Sequence, residues 1–132
     1  MTIKQSLAQW MQNNGFGTRN VDLFLNTIPK EKNIVSGWWI VGGGGAPEFS
    51  NQTGEKGKPY IFAVFFRDRD SQNVDETLQS LEETVNSKDC KELEEYETYH
   101  MEATGFQSDS TLDPEDRTVG SVEITVSVYQ SN

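Results

Sequence analysis

The sequence predicts an α+β domain: a mixed, mostly antiparallel sheet with two helices packed on one face. Two segments carry apolar residues at helical spacing. Five others alternate or run apolar as strands do, and most of them follow one another without an intervening helix. No internal repeat and no linker interrupts the order, so residues 1–132 read as one domain.

The first helix is "TIKQSLAQWMQNNG". Ile3, Leu7, Trp10 and Met11 fall on one stripe. Thr2 and Gln5 form a capping-box pattern, and Asn14-Gly15 is a stop, because glycine accepts the left-handed conformation beyond a helix end. "VDLFLNTIP" alternates as a strand and ends at Pro29. "NIVSGWWIV", 33–41, is a second strand, rich in β-branched and aromatic residues. The next 18 residues, 42–59, show neither period and read as a long loop that opens on four glycines. "YIFAVFFRDRD" is the strongest strand. Both its faces are apolar from Tyr60 to Phe66, which predicts a central strand covered on both sides. Asn73 with Glu76 predicts the start of the second helix, whose stripe is Val74, Leu78, Leu81 and Val85. Tyr99, Met101 and Ala103 share one face of the next strand. Residues 107–118 read as a second long, acidic loop. Val122, Ile124, Val126 and Val128 then alternate through a half-buried last strand.

Composition narrows the function. Eleven basic residues face 21 acidic ones, for a net charge of −10. Such a surface repels nucleic-acid phosphates and anionic lipid, so neither specific DNA binding nor membrane binding is expected. No stretch approaches the roughly 18 apolar residues of a membrane span, and the first ten residues lack the apolar region of a signal peptide. Cys90 is the single cysteine. It allows no intrachain disulfide and no multi-cysteine metal site, and reads as a bystander thiol.

Tests for chemistry come out negative, and no enzyme and no cofactor are expected. "GGGGAPEF" lacks the Lys-Ser/Thr and the immediate helix of a phosphate loop, so the glycines read as a flexible strand exit. "DRDSQNVDE", 68–76, has alternating acids but no glycine at the sixth position of a calcium loop, and Gln79 stands at the twelfth. His100 is the only histidine. It has no nucleophile motif and no sulfur or nitrogen partners for zinc, and reads as solvated or at the core edge. Trp38 and Trp39 are neighbours on a strand and therefore face opposite ways. One joins the core while the other faces out or meets a partner.

The succession "FGTRNVDLFLNTIPKEKNIVSGWWIVGGGGAPE" resembles the start of small tail-terminator proteins of long-tailed bacteriophages, also labelled tail-completion or minor capsid proteins. The matching positions are Phe16-Gly17, Leu23-Phe24, Ile28-Pro29, Gly42 to Gly45, Pro47 and Pro59 to Arg67. The order of elements matches over most of the chain, the letters over residues 16–67. Trp38-Trp39-Ile40-Val41 departs from the Tyr-Asp-Thr-like approach to the glycines in that family.

The resemblance implies a tail-terminator-like fold and a structural virion protein: a homohexameric ring at the head-proximal end of the tail. The ring would end tail-tube polymerisation and join the tube to the head-tail connector. Genomic DNA would pass through it without specific binding, and assembly would take place in the host cytoplasm. On that reading Trp38 or Trp39, Phe49 and Phe106 are the expected contacts, with Arg67 and Arg69 pairing acids of a neighbour. The competing expectation is a small cytosolic α+β binding or regulatory module.

Overall fold

The computed structural model describes residues 2–32, 34–45, 49–50, 56–87, 93, 96, 98–109 and 117–129, leaving out the side chains of 45, 49, 50, 56, 98, 99 and 106–109. Helix α1 (Ile3–Asn13) precedes β1 (Leu23–Leu25), a 3-10 turn (Lys30–Lys32) and β2 (Gly37–Gly45). Then come β3 (Phe49–Ser50), β4 (Lys56–Asp68), α2 (Ser71–Ser87), β5 (Thr98–Asp109) and β6 (Thr118–Tyr129). The sheet runs β1-β2-β4-β6-β5, with β3 paired to the start of β4. Among the described strand pairs β1 and β2 run parallel and the others antiparallel. This is the expected α+β architecture.

Both ends of α1 form as the sequence predicts. Gln5 N–H donates to Thr2 Oγ1 at 3.1 Å and Thr2 N–H to Gln5 Oε1 at 2.7 Å. At the far end Gly15 takes φ +86°. Phe16 N–H reaches the Met11 carbonyl at 2.8 Å and Gly15 N–H the Gln12 carbonyl at 3.1 Å, the paired bonds of a Schellman stop. Helix α2 starts earlier than its expected cap. Asp70, not Asn73, accepts from the first turn, with Gln72 N–H at 3.0 Å and Asn73 N–H at 3.4 Å. A carboxylate is a strong acceptor for orphan helix donors, and it leaves Asn73 free to donate to Asp68 Oδ2 at 2.7 Å.

One core joins both helices to one face of the sheet. Leu7, Trp10 and Met11 of α1 and Val74, Leu78, Leu81 and Val85 of α2 pack on Trp38, Ile40, Phe62, Val64, Val122, Ile124 and Val126. The sheet residues in that set share one pleat parity, as the register Trp38↔Phe66, Ile40↔Val64 and Val64↔Val122 shows. Strand β4 is central, as expected, but it is not covered on both sides. Its opposite parity leaves Ile61 39% exposed, with Ala63 and Phe65 half-buried. Both apolar faces of the sequence are real, yet the two helices of a single chain cover one of them.

The two long loops shrink. Strand β2 continues through the glycines to Gly45, and β4 begins at Lys56, within the segment read as loop 42–59. Strand β5 extends to Asp109, inside 107–118. The four glycines are therefore strand, not a flexible exit. Pairing steps from Gly42↔Phe62 to Gly44↔Ile61, a β-bulge. Gly42 and Gly43 adopt φ +94° and +103°, a region that side chains disfavour. A Cβ on Gly43 would stand 2.9 Å from Phe62 Cε1, and one on Gly42 3.0 Å from the Ile61 carbonyl. Lacking side chains, these residues show no period in the sequence, which is why they read as loop.

Gly43→Ala is expected to cost about 1–3 kcal/mol, from the strained backbone plus the displaced Phe62 ring. Gly44, where a Cβ meets nothing within 4 Å, is the control. Gly44→Ala should stay within about 0.5 kcal/mol of wild type. Urea denaturation of both variants checks the pair, and equal losses would remove the bulge explanation.

Candidate assembly surface

The strand pleat separates the two tryptophans. Trp38 points into the core at 3% exposure. Its ring lies 4.6 Å from Phe66 and meets Phe16 edge-on at 6.0 Å. Trp39 points the other way, stacked on Phe65 with centroids 5.1 Å apart and planes 7° from parallel. The Arg67 guanidinium sits 5.9 Å from the Trp39 ring, within range of a cation–π attraction. Parity then places Val41, Ile61 and Ala63 in the same stripe, because Val41 pairs with Ala63 and Trp39 with Phe65.

This outer face grades in polarity across the sheet. On β6 it presents Ser121, Glu123 and Thr125, opposite Phe65, Ala63 and Ile61. On β5 it presents Glu102 and Thr104, opposite Thr125 and Glu123. At the β1 edge the face is closed by the chain itself. Phe24, beside Trp39 in register, and Ile28 are both 7% exposed, and a Cβ on Gly37 would come 2.9 Å from Ile28 Cδ1. The segment that carries Ile28 is tied down from the sheet. Arg67 Nη2 and Arg117 Nη1 both donate to the Ile34 carbonyl, at 3.1 and 3.0 Å. What remains open is an apolar stripe two strands wide, from Trp39 and Phe65 to Ile61.

The residues singled out in the sequence are thus dispersed. Trp39 and Arg67 meet on the outer face, Trp38 is in the core and Arg69 is exposed at the end of β4. The side chains of Phe49 and Phe106 lie outside the described residues. Sequence reasoning passed over Val41, Ile61, Ala63 and Phe65, although the odd positions of the strongest strand marked the last three. It also passed over Arg117, which sits inside an acidic run yet is 8% exposed. His100 is exposed and lies 3.3 Å from Glu102.

Asp68 fastens the end of β4. It accepts from Ser36 Oγ at 2.8 Å, Asn73 Nδ2 at 2.7 Å and Arg69 N–H at 2.8 Å, so one carboxylate links the approach to β2, the end of β4 and the start of α2. Burial is the largest single influence and pulls its pKa up. The hydrogen bonds from Asn73, Ser36 and the backbone of Arg69 and Asp70 together outweigh burial and hold the carboxyl below its ordinary value.

Other features are sparse. Two open hollows lie among the described residues: one of about 570 Å³ along Gln79, Glu82, Glu83, Asn86 and Ser87, another, more polar, of about 420 Å³ at Thr104, Gly105, Ser121 and Glu123. Among the described residues no group of three His, Cys, Asp or Glu is placed to hold a metal ion. No helix among them is long and apolar enough to cross a membrane.

Comparison with known proteins gives a likeness in fold. No protein-family model and no curated protein matches the chain. Among solved structures, a chain in the virion of a native gene transfer agent (GTA) particle superposes with a TM-score of 0.63. The identity is 11%, and the match covers 96% of this chain and 90% of that one. At that identity the likeness is one of fold.

The Asp68 links carry a pH signature. A folded-state pKa below the unfolded one stabilises the fold above the unfolded value, about 3.9 for aspartate, and that contribution is lost as pH falls through the folded value. Asp68→Asn should therefore be less stable than wild type at neutral pH. The gap should close in acid as wild-type Asp68 takes up its proton. Thermal melts of both proteins from neutral pH into acid check this; a gap that stays constant would show that the carboxylate charge is not what Asp68 contributes.

Proposed function

We propose that this chain is a structural virion protein, a tail terminator that closes into a homohexameric ring at the head-proximal end of a tail. The ring ends tube polymerisation and offers its other side to the head-tail connector. The observation that carries this reading is the fold shared, over nearly the whole of both chains, with a component of a solved virion. The resemblance of residues 16–67 to tail terminators, which rests on letters rather than on fold, supports it independently.

The surface suits such a role. Subunits of a cyclic ring meet head to tail through two different patches. The outer stripe is an apolar patch left open by a chain that otherwise covers its sheet. Trp39 and Ile61 are its anchors on this reading, with Arg69, and Phe49 and Phe106 from the flanking strands, as further contacts. Trp38 serves by holding the fold. Arg67 acts by fixing Trp39 and the Ile34 segment, with its guanidinium held between them. The chain carries no catalytic duty in this role and takes no cofactor. Its −10 charge lets genomic DNA pass without being held.

Light scattering after size exclusion, across micromolar concentrations, tests the ring. A hexamer is expected, free or on addition of tail tubes. A strict monomer that tubes do not recruit would return the chain to the binding-module reading. Trp39→Ala should weaken assembly by about 2 kcal/mol or more, whereas Arg69→Glu should change it by roughly 0–1 kcal/mol, as rim charges do. Trp38→Ala should instead destabilise the monomer, by about 3–5 kcal/mol. Normal assembly by Trp39→Ala would move the interface off the stripe.

A further inference from the structure

Among the described residues β5 ends the sheet, and no described strand lies beside one of its two edges. It is 12 residues long, while β1 at the opposite end has three. A long open edge is a template for pairing with another chain. At its middle, however, this edge is occupied. Asn86, one residue before the end of α2, donates from Nδ2 to the Ala103 carbonyl at 3.0 Å and accepts from Ala103 N–H at 2.8 Å.

Ala103 faces Ile124 of β6 in register, yet both its backbone groups go to Asn86. They therefore point away from β6, along the open edge. A carboxamide holds one donor and one acceptor side by side, as a peptide unit does. Asn86 thus satisfies Ala103 as a residue of a neighbouring strand would. Two features reinforce the block: exposed Glu102 is adjacent, and the pairing register shifts between Thr104 and Gln107.

We propose that Asn86 is an edge lock, an autoinhibitory contact that keeps β5 from pairing with β5 of a second copy. Identical edges pair antiparallel about a two-fold axis, which places the two Ala103 regions near each other and makes the lock act on both chains at once. Removing the carboxamide exposes a donor and an acceptor at the centre of the edge. An aspartate there keeps an acceptor for Ala103 N–H, but it sets a charge against the carbonyl and brings two like charges together across any β5–β5 pair.

The test compares wild type, Asn86→Ala and Asn86→Asp by light scattering over micromolar concentrations, with amide hydrogen exchange at Ala103. Each mass is read relative to wild type, whatever the wild-type assembly is, which keeps the outcome separate from the ring reading. Asn86→Ala is expected to at least double the wild-type mass at the upper concentrations and to regain protection at Ala103 as it does so. Asn86→Asp should keep both the wild-type mass and the protection of Ala103 N–H, whose acceptor the carboxylate retains. If Asn86→Ala does not fold, Asn86→Ser, too short to reach both backbone groups, carries the same expectation. Wild-type mass in Ala and Ser variants that have lost Ala103 protection would overturn the proposal, and so would equal association by the Asp variant.

Discussion

The structure depends on the pleat of β4. This 13-residue strand is hydrogen-bonded on both sides, to β2 and to β6, so its register is set twice. A slip of one residue would exchange Phe62, Val64 and Phe66 for Ile61, Ala63 and Phe65. Such a slip would take out of the core three rings and branched chains that are at most 6% exposed, at a cost of about 1.5–3 kcal/mol for each large side chain. The Gly42–Gly43 bulge works within that constraint. It lets β2 gain a residue on β4 while Phe62 keeps its place, using the one residue type that tolerates both the φ values and the approach of the ring.

The same parity makes the outer face. Once the core takes the even residues of β4, no helix among the described residues is left to cover the odd ones. The chain closes part of this surface with its own connection. Ile28 lies over Gly37, Phe24 lies beneath, and Arg67 and Arg117 both hold the Ile34 carbonyl. Two guanidiniums on one carbonyl is a strong fastening for a segment with no strand of its own. It defines where cover stops, just short of Trp39. Asp68 anchors the same segment two residues further on, at Ser36, so the connection is pinned from both faces of the end of β4.

Much of this was legible in the sequence because it is periodic. The stripes of α1 and α2, the capping box at Thr2, the alternation of β6 and the central place of β4 are all direct consequences of spacing. The opposite placement of Trp38 and Trp39 is too. Legibility failed where side chains carry no pattern or where partners are far apart. Four glycines have no period, so a bulged strand looked like loop. Asp70 and Asn73 both cap well, and the choice between them turned on Asp68, which gives Asn73 another partner. Arg117 reads as solvent-facing in an acidic run, and its burial follows from a carbonyl 83 residues away. Apolar residues on both faces of β4 told that two coverings are needed. They could not tell that the chain itself provides one.

That last distinction links fold to function. A sheet with one face covered by helices and the other left apolar over β2 and β4 has an incomplete second layer. Uncovered apolar area of this kind favours association by removal from water, without direction. Direction comes from what surrounds it: the pinned segment on the β1 side, and Glu123 and Glu102 on the β6 and β5 side. A partner that seats on the stripe must be apolar over a narrow band and must avoid those carboxylates, because burying an unpaired charge costs far more than a side chain's worth of apolar contact returns. The long edge of β5, beside which no described strand lies, would offer a second, less selective route to association, since backbone pairing reads no side-chain identity. Asn86 occupies the middle of that edge. On the proposed reading, one route is closed by a side chain and the other bounded by charge, so that association runs through the side-chain face and not through the backbone.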